Sequence, residues 1–213
     1  MPVNLEAIKE IQNNIIRLQP RAELIVVTKN KATSDINQLF KENILVFGEN
    51  RVQEAISKYK DLRSKFKFQL HLIGPLQTNK VELALQTFDT IQTIDRLKLV
   101  DAIFNAQVKL GIKSITKNFF IQVNIGNEIQ KAGTNIDEVE NIYSYCVSKH
   151  MKIDGLMCIP PLSQSPQKYF DKMYQIKNSI NPNLKLSMGM SADYIDALMC
   201  KSDFIRVGSK VFS

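Results

Sequence analysis

LKLSMGMSADYIDALMCKSDFIRVGSKVFS, Leu184–Ser213, decides the fold. It holds two apolar runs, Leu184–Met188 and Phe204–Val207, each ending on a corner of glycine and serine. Between them there is room only for a short helix. Working back along the chain, the same unit recurs: an apolar run, a polar corner, then an amphipathic stretch. The earlier runs predict strands at Leu24–Thr28, Ile44–Phe47, Phe68–Ile73, Thr90–Ile94, Asn118–Ile125 and Lys152–Met157. Apolar residues at steps of three and four predict the helices between them. Asp95–Leu110 places Leu97, Val100, Ile103 and Phe104 on one face. Ile136–Lys149 does so with Val139, Ile142 and Cys146, and Pro166–Ile180 with Phe170, Met173 and Ile176. Helix-start chemistry stands at Thr33-Ser34-Asp35 and at Gly74-Pro75, with the proline expected in a first turn.

Strands alternating with helices imply βαβ units and a parallel sheet. Eight such units imply a closed barrel or a long doubly wound sheet. The glycine fingerprint GxGxxG of the open sheet is absent. A helical pattern at Leu5, Ile8, Ile11, Ile15 and Leu18 precedes the first strand and can fill the gap in the outer ring beside the eighth. The expectation is α/β: a single (β/α)8 TIM barrel over residues 1–213 with an extra N-terminal helix, no linker and no residue-level repeat.

The 213 residues are 44% hydrophobic and 23% charged, the balance of an ordinary globular chain. No apolar run approaches the roughly 18 residues of a membrane helix, and the N-terminus carries no apolar signal region. Cys146, Cys158 and Cys200 are odd in number and lack CxxC spacing, which argues against a disulfide framework or a zinc site. These features point to the cytoplasm and away from a membrane. The 28 basic and 21 acidic residues leave a net charge of +7. That excess invites a nucleic-acid reading, but the lysines are scattered along helices beside acids. The expected partner is a small anion, and no nucleic acid.

Barrel chemistry sits at the C-terminal strand ends. The loops after strands seven and eight commonly bind phosphate there. Here they carry Ser187, Gly189 and Ser191, then Gly208 and Ser209. Ser191 is also placed to cap the short helix that follows. In a closed barrel strand one lies against strand eight, so Lys29 stands beside this corner. A partly desolvated lysine near other cations is a usable amine. It can hold a sugar phosphate or pyridoxal 5′-phosphate (PLP). Arg206, on the eighth strand, would point into the mouth against a pyridine nitrogen, or pair with Asp203.

Several strings are more specific than these patterns. IVVTKNK (Ile25–Lys31), FGENRVQE (Phe47–Glu54), HLIGPLQTNK (His71–Lys80), TIDR (Thr93–Arg96), QVNI (Gln122–Ile125), GLMCIPP (Gly155–Pro161), LSMGMSAD (Leu186–Asp193) and FIRVGSKVF (Phe204–Phe212) together resemble the YggS/PROSC family of PLP homeostasis proteins. The likeness runs nearly end to end. It implies a barrel similar to the N-terminal domain of alanine racemase, with Lys29 forming an internal aldimine with PLP. It also implies phosphate contacts from Ser187, Ser191, Gly208 and Ser209, Arg206 at the ring nitrogen, and Asn50 and His71 lining the pocket. Lys131 matches a family lysine near the mouth. The chain departs from the family in Leu70, where an aromatic often stands, in Ser209 for threonine, and in its Phe212-Ser213 ending.

Alanine racemase uses a second base, a tyrosine from a separate β-domain. Here the six tyrosines fall in helical stretches. The resemblance therefore implies a PLP carrier in vitamin B6 homeostasis, with effects on amino-acid and keto-acid balance, and the expected state is a monomer. PLP-dependent apoenzymes would be its recipients. The alternative is a small PLP enzyme with weak racemase activity. Cys158, at a strand end, is read as packed or as a reactive thiol.

Overall fold

The computed structural model describes residues 3–161 and 165–213. Eight parallel strands close on themselves in sequence order. They are β1 (Glu23–Val27), β2 (Val46–Glu49), β3 (Gln69–Leu72), β4 (Thr90–Ile94), β5 (Asn118–Val123), β6 (Gly155–Cys158), β7 (Lys185–Ser187) and β8 (Phe204–Val207). The helices are α1 (Leu5–Leu18), α2 (Thr33–Lys41), α3 (Val52–Tyr59), α4 (Val81–Thr87), α5 (Leu97–Leu110), α6 (Val139–Ser148), α7 (Gln167–Ile180) and α8 (Tyr194–Met199). Among the described residues no helix is long and apolar enough to cross a membrane.

Ring closure is explicit in the register. β1 pairs with β8 from Glu23↔Phe204 to Val26↔Val207. α1 takes its expected place in the outer ring. Asn4 caps it, its Oδ1 accepting from Ala7 N at 2.9 Å, and Asn14 donates to Tyr194 OH on α8 at 3.0 Å. Ile8, Ile11 and Ile15 are the stripe it buries. The main core lies between sheet and helices. Inside the barrel a smaller apolar cluster is built on Ile25, Phe120, Met157 and Phe204.

Three aspartates bind strands in pairs. Asp89, Asp154 and Asp203 each stand just before an even strand, β4, β6 or β8. Each carboxylate accepts an amide N–H of the preceding odd strand: Leu70 at 2.8 Å, Phe119 at 3.1 Å and Leu186 at 2.7 Å. Each aspartate amide returns a bond to the carbonyl of that same residue, at 2.9, 2.8 and 2.8 Å. This is a residue-level repeat, correcting the expectation of none. It also removes the expected Arg206–Asp203 pair, because Asp203 is engaged with Leu186.

Other boundaries move as well. Gly74-Pro75 does not open a helix. A short 3₁₀ turn begins only at Thr78, with α4 after it. Ser191 does not cap α8, whose N-cap is Asp193. Gly155 is fixed by space. A Cβ there would lie 2.3 Å from Phe120 Cε1 and 2.4 Å from the Lys185 carbonyl oxygen. Gly155→Ala is expected to destabilise the fold by about 1–3 kcal/mol, as overpacking of a filled interior does. An unchanged urea midpoint would contradict this.

Candidate functional site at the barrel mouth

The two phosphate-type loops meet at the C-terminal end of the barrel. Ser191 Oγ after β7 accepts from Lys210 N after β8 at 3.5 Å. Gly189, with φ +91, turns the first loop. A Cβ on it would sit 2.5 Å from Ala197 Cβ, so the loop lies flat on α8 only with glycine. Gly208 packs on β1, its Cβ direction 3.2 Å from Val27 O. Among the described residues the amide N–H groups of Ser191, Ala192, Gly208 and Ser209 form no hydrogen bond with the chain. Four unused donors and two hydroxyls at one corner are the donor set of an anion cradle.

Lys29 follows β1 beside this corner. It is exposed, not partly desolvated as expected, and makes no hydrogen bond or ion pair among the described residues. Its neighbour Lys31 is engaged, with Nζ 4.5 Å from the centre of the Phe212 ring. Lys29 and Asn50 line a cavity of about 460 Å³ together with Arg51, Gln53, Gln77 and Lys80. Asn50 Oδ1 is buried there without a partner among the described residues. Gly74 holds the Asn50 backbone in place, since a Cβ at Gly74 would meet Asn50 O at 2.2 Å. A larger cavity, about 610 Å³, opens near Tyr143, His150, Asp154 and Lys185, at the opposite end of the barrel.

Ser187 and His71 lie deeper than the sequence suggested. Both are buried inside the barrel, in a directed chain of hydrogen bonds. Arg206 NH1 donates to Ser187 Oγ at 2.8 Å, and Ser187 Oγ donates to Gln92 Oε1 at 2.7 Å. Gln92 Nε2 stands 2.9 Å from His71 Nδ1, and His71 Nε2 is 3.5 Å from Gln69 Oε1. For the amide of Gln92 to donate, His71 must be neutral with its proton on Nε2. Burial, aided by the nearby charge of Lys185, pushes the His71 pKa down to about 3. Arg206 NH2 donates to Cys158 O at 2.8 Å, so the guanidinium is held by two groups. The Ser187 hydroxyl is therefore an orienter of Arg206, and a phosphate contact from it is not part of this arrangement.

Lys131 is engaged as well. Its Nζ donates to Pro160 O at 3.0 Å and pairs with Glu128. Cys158 is buried, and desolvation pushes its thiol up to about 12, the environment of a packed cysteine. Gln92 escaped the sequence reading. Its only signal is a polar side chain in the middle of the apolar run TIQTI.

The fold by itself defines a class. Alanine racemase from Acinetobacter baumannii superposes with a TM-score of 0.72 at 17% identity, covering 99% of this chain and 62% of that one. What is shared there is the barrel. No family model matches the chain. PipY of Synechococcus elongatus is more similar, with a TM-score of 0.86 at 30% identity over 98% of this chain and 99% of that one. It has been solved without PLP and with PLP bound, the latter at a TM-score of 0.84 and 29% identity. The pyridoxal phosphate homeostasis protein of Pasteurella multocida is 32% identical over 207 residues, 92% of this chain and 88% of its own length. This chain belongs to the pyridoxal phosphate homeostasis protein family.

Proposed function

We propose that this protein binds PLP at the barrel mouth with Lys29 as the covalent anchor, and serves intracellular PLP homeostasis as a carrier and not as an enzyme. The observation that carries this is the juxtaposition of one unengaged primary amine with a cradle of free amides across the β1–β8 seam. When bound, PLP supplies an aldehyde that condenses with amines and a ring that withdraws electrons. The amides of Ser191, Ala192, Gly208 and Ser209 suit its phosphate, and Asn50 offers an unpaired acceptor beside Lys29. The chain fits the group.

The same residues argue against turnover. Arg206 is held by Ser187 and Cys158 O, and a guanidinium gives up no proton to a facing nitrogen. A ring nitrogen left unprotonated makes a weak electron sink. Tyr59, Tyr143, Tyr145, Tyr169, Tyr174 and Tyr194 all lie on helices. A two-base proton exchange would lack its second base, typically worth roughly 10²–10⁴-fold. PLP-dependent apoenzymes are the proposed recipients. The three free, buried thiols suit a cytoplasmic setting.

Borohydride reduction of the protein loaded with PLP, followed by peptide mapping, tests the site. The expected result is one pyridoxyl group, on Lys29. Alanine incubated with the loaded protein in heavy water should gain no α-deuterium over many equivalents. Sustained exchange would move the assignment to the racemase alternative.

A further inference from the structure

Behind Lys29, on the outer face of the barrel, lies a cluster that the cofactor reading does not use. Lys58 on α3 points its ammonium at three oxygens: Thr28 O at 2.6 Å, Glu49 Oε1 at 2.8 Å and Glu54 Oε1 at 2.6 Å. Glu54 Oε1 also accepts from Asn30 N at 2.6 Å. Thr28 and Asn30 are the two neighbours of Lys29 in the chain. The carbonyl before the lysine and the amide after it are thus tied, through one ammonium and one carboxylate, to a single point on α3.

The rest of the cluster fixes that point. Glu49 is fully buried, and its Oε1 accepts from Thr28 Oγ1 at 2.7 Å. With that proton committed, the Tyr59 hydroxyl, 2.7 Å from Thr28 Oγ1, is the donor of its own bond. Burial holds Tyr59 in its protonated form, its pKa pushed far up. The turn itself needs holding, because Asn30 sits in the left-handed region at φ 58 and Lys31 N bonds back to Thr28 O at 3.0 Å. The staple works from the outside, and among the described residues no group bonds the Lys29 amine.

We infer that Lys58, with Glu54, is a positioning residue that clamps both peptide groups flanking Lys29 and so aims its amine into the mouth. The inference deepens the cofactor reading and rests on it. Misplacing a reacting group by about 1 Å can cost on the order of a hundredfold in rate.

The test follows the rate at which the full-length protein, mixed with PLP, acquires borohydride-trappable label on Lys29. In Lys58→Met the rate should fall by about ten- to a hundredfold, and Lys58→Arg, which keeps a cation and donors, should recover much of it. Amide hydrogen exchange over residues 28–31 should speed up at least about tenfold in Lys58→Met and reads the clamp without any cofactor. Lys109→Met, which breaks the exposed pair with Glu82, is the control expected to leave both readouts unchanged. If Lys58→Met does not fold, Glu54→Gln replaces it. Its partly exposed amide still accepts from Asn30 but has lost the charge that holds Lys58. Unmodified protein that shows no label on Lys29 overturns the cofactor reading. Normal labelling in the unmodified protein, with unchanged rate and exchange in a folded Lys58 or Glu54 variant, overturns the clamp alone.

Discussion

Lys29→Ala should take up no reducible PLP label, against one label per chain in the parent. The expectation rests on the state of the other amines around the mouth. Lys31 lies over Phe212, Lys131 is bound to Glu128 and Pro160, Lys58 is sunk in its carboxylate cluster, and Lys210 pairs with Glu10 at 2.8 Å. None can reach the aldehyde without breaking a contact. Lys80 shares the cavity with Lys29 and is the amine to watch. The cradle does not depend on Lys29, so pyridoxine 5′-phosphate, which has no aldehyde, should bind parent and variant alike. For PLP itself the loss of the covalent link should weaken binding at least about a hundredfold, roughly 3 kcal/mol. Absorbance titration and peptide mapping read both numbers. Label transferred to Lys80 would reassign the anchor, and full labelling of the variant would remove Lys29 from the site.

The second large effect is on acid stability. His71 titrates near 3 in the folded chain, against an ordinary value of 6.5, chiefly because it is buried. The unfolded chain therefore binds one more proton than the folded chain between these values. Stability from this group is complete above pH 6.5 and falls as the pH drops toward 3. The loss approaches about 1.4 kcal/mol per pH unit, some 5 kcal/mol at the limit. Protonation would also place an N–H donor opposite the Gln92 amide. The chain of donors from Arg206 would then have no end. Replacing His71 by asparagine keeps an acceptor near the position of Nδ1 and cannot take up the proton. Urea unfolding of parent and His71→Asn between pH 7 and 5 should show the parent losing about 2 kcal/mol more than the variant. Parallel pH profiles would mean that His71 takes up its proton as readily in the native as in the unfolded chain, and that the donor chain runs differently.

The barrel was legible because strand and helix periods differ so plainly. Thr90–Ile94 and Phe204–Val207 appear in the structure with the bounds their apolar runs suggest. The misplaced boundaries share a cause: apolar residues next to a strand that pack without joining the ladder. Ile44 is buried, but Asn43 takes a left-handed φ of 56, and β2 begins only at Val46. Met151 and Ile153 fill the core before Gly155 starts β6. Beyond Val123, Asn124 leaves the strand to bond Glu128, its Oδ1 accepting at 3.1 Å and its Nδ2 donating at 2.8 Å.

In the site, Lys29, Asn50, Ser191, Gly208 and Ser209 follow the strand ends where the sequence reading put them, and Arg206 lies on β8. Alternation shows that His71 and Ser187 face inward, but it carries no information on depth, which depends on the stagger between neighbouring strands. Both therefore belong to the interior chain and not to the rim. Lys58 and Glu54 were visible only as an ordinary i,i+4 pair on a helix. That the pair grips the backbone on both sides of Lys29 is a fact of tertiary packing.

The aspartate clasps divide mechanical labour around the ring. β3–β4, β5–β6 and β7–β8, parallel strands joined through helices, are each buckled at the base, where no chemistry occurs. Among the described residues the β1–β2 couple shows no such buckle, and it is fastened at its top by Lys58. The lysine expected to carry the cofactor thus stands on a couple anchored at the working end.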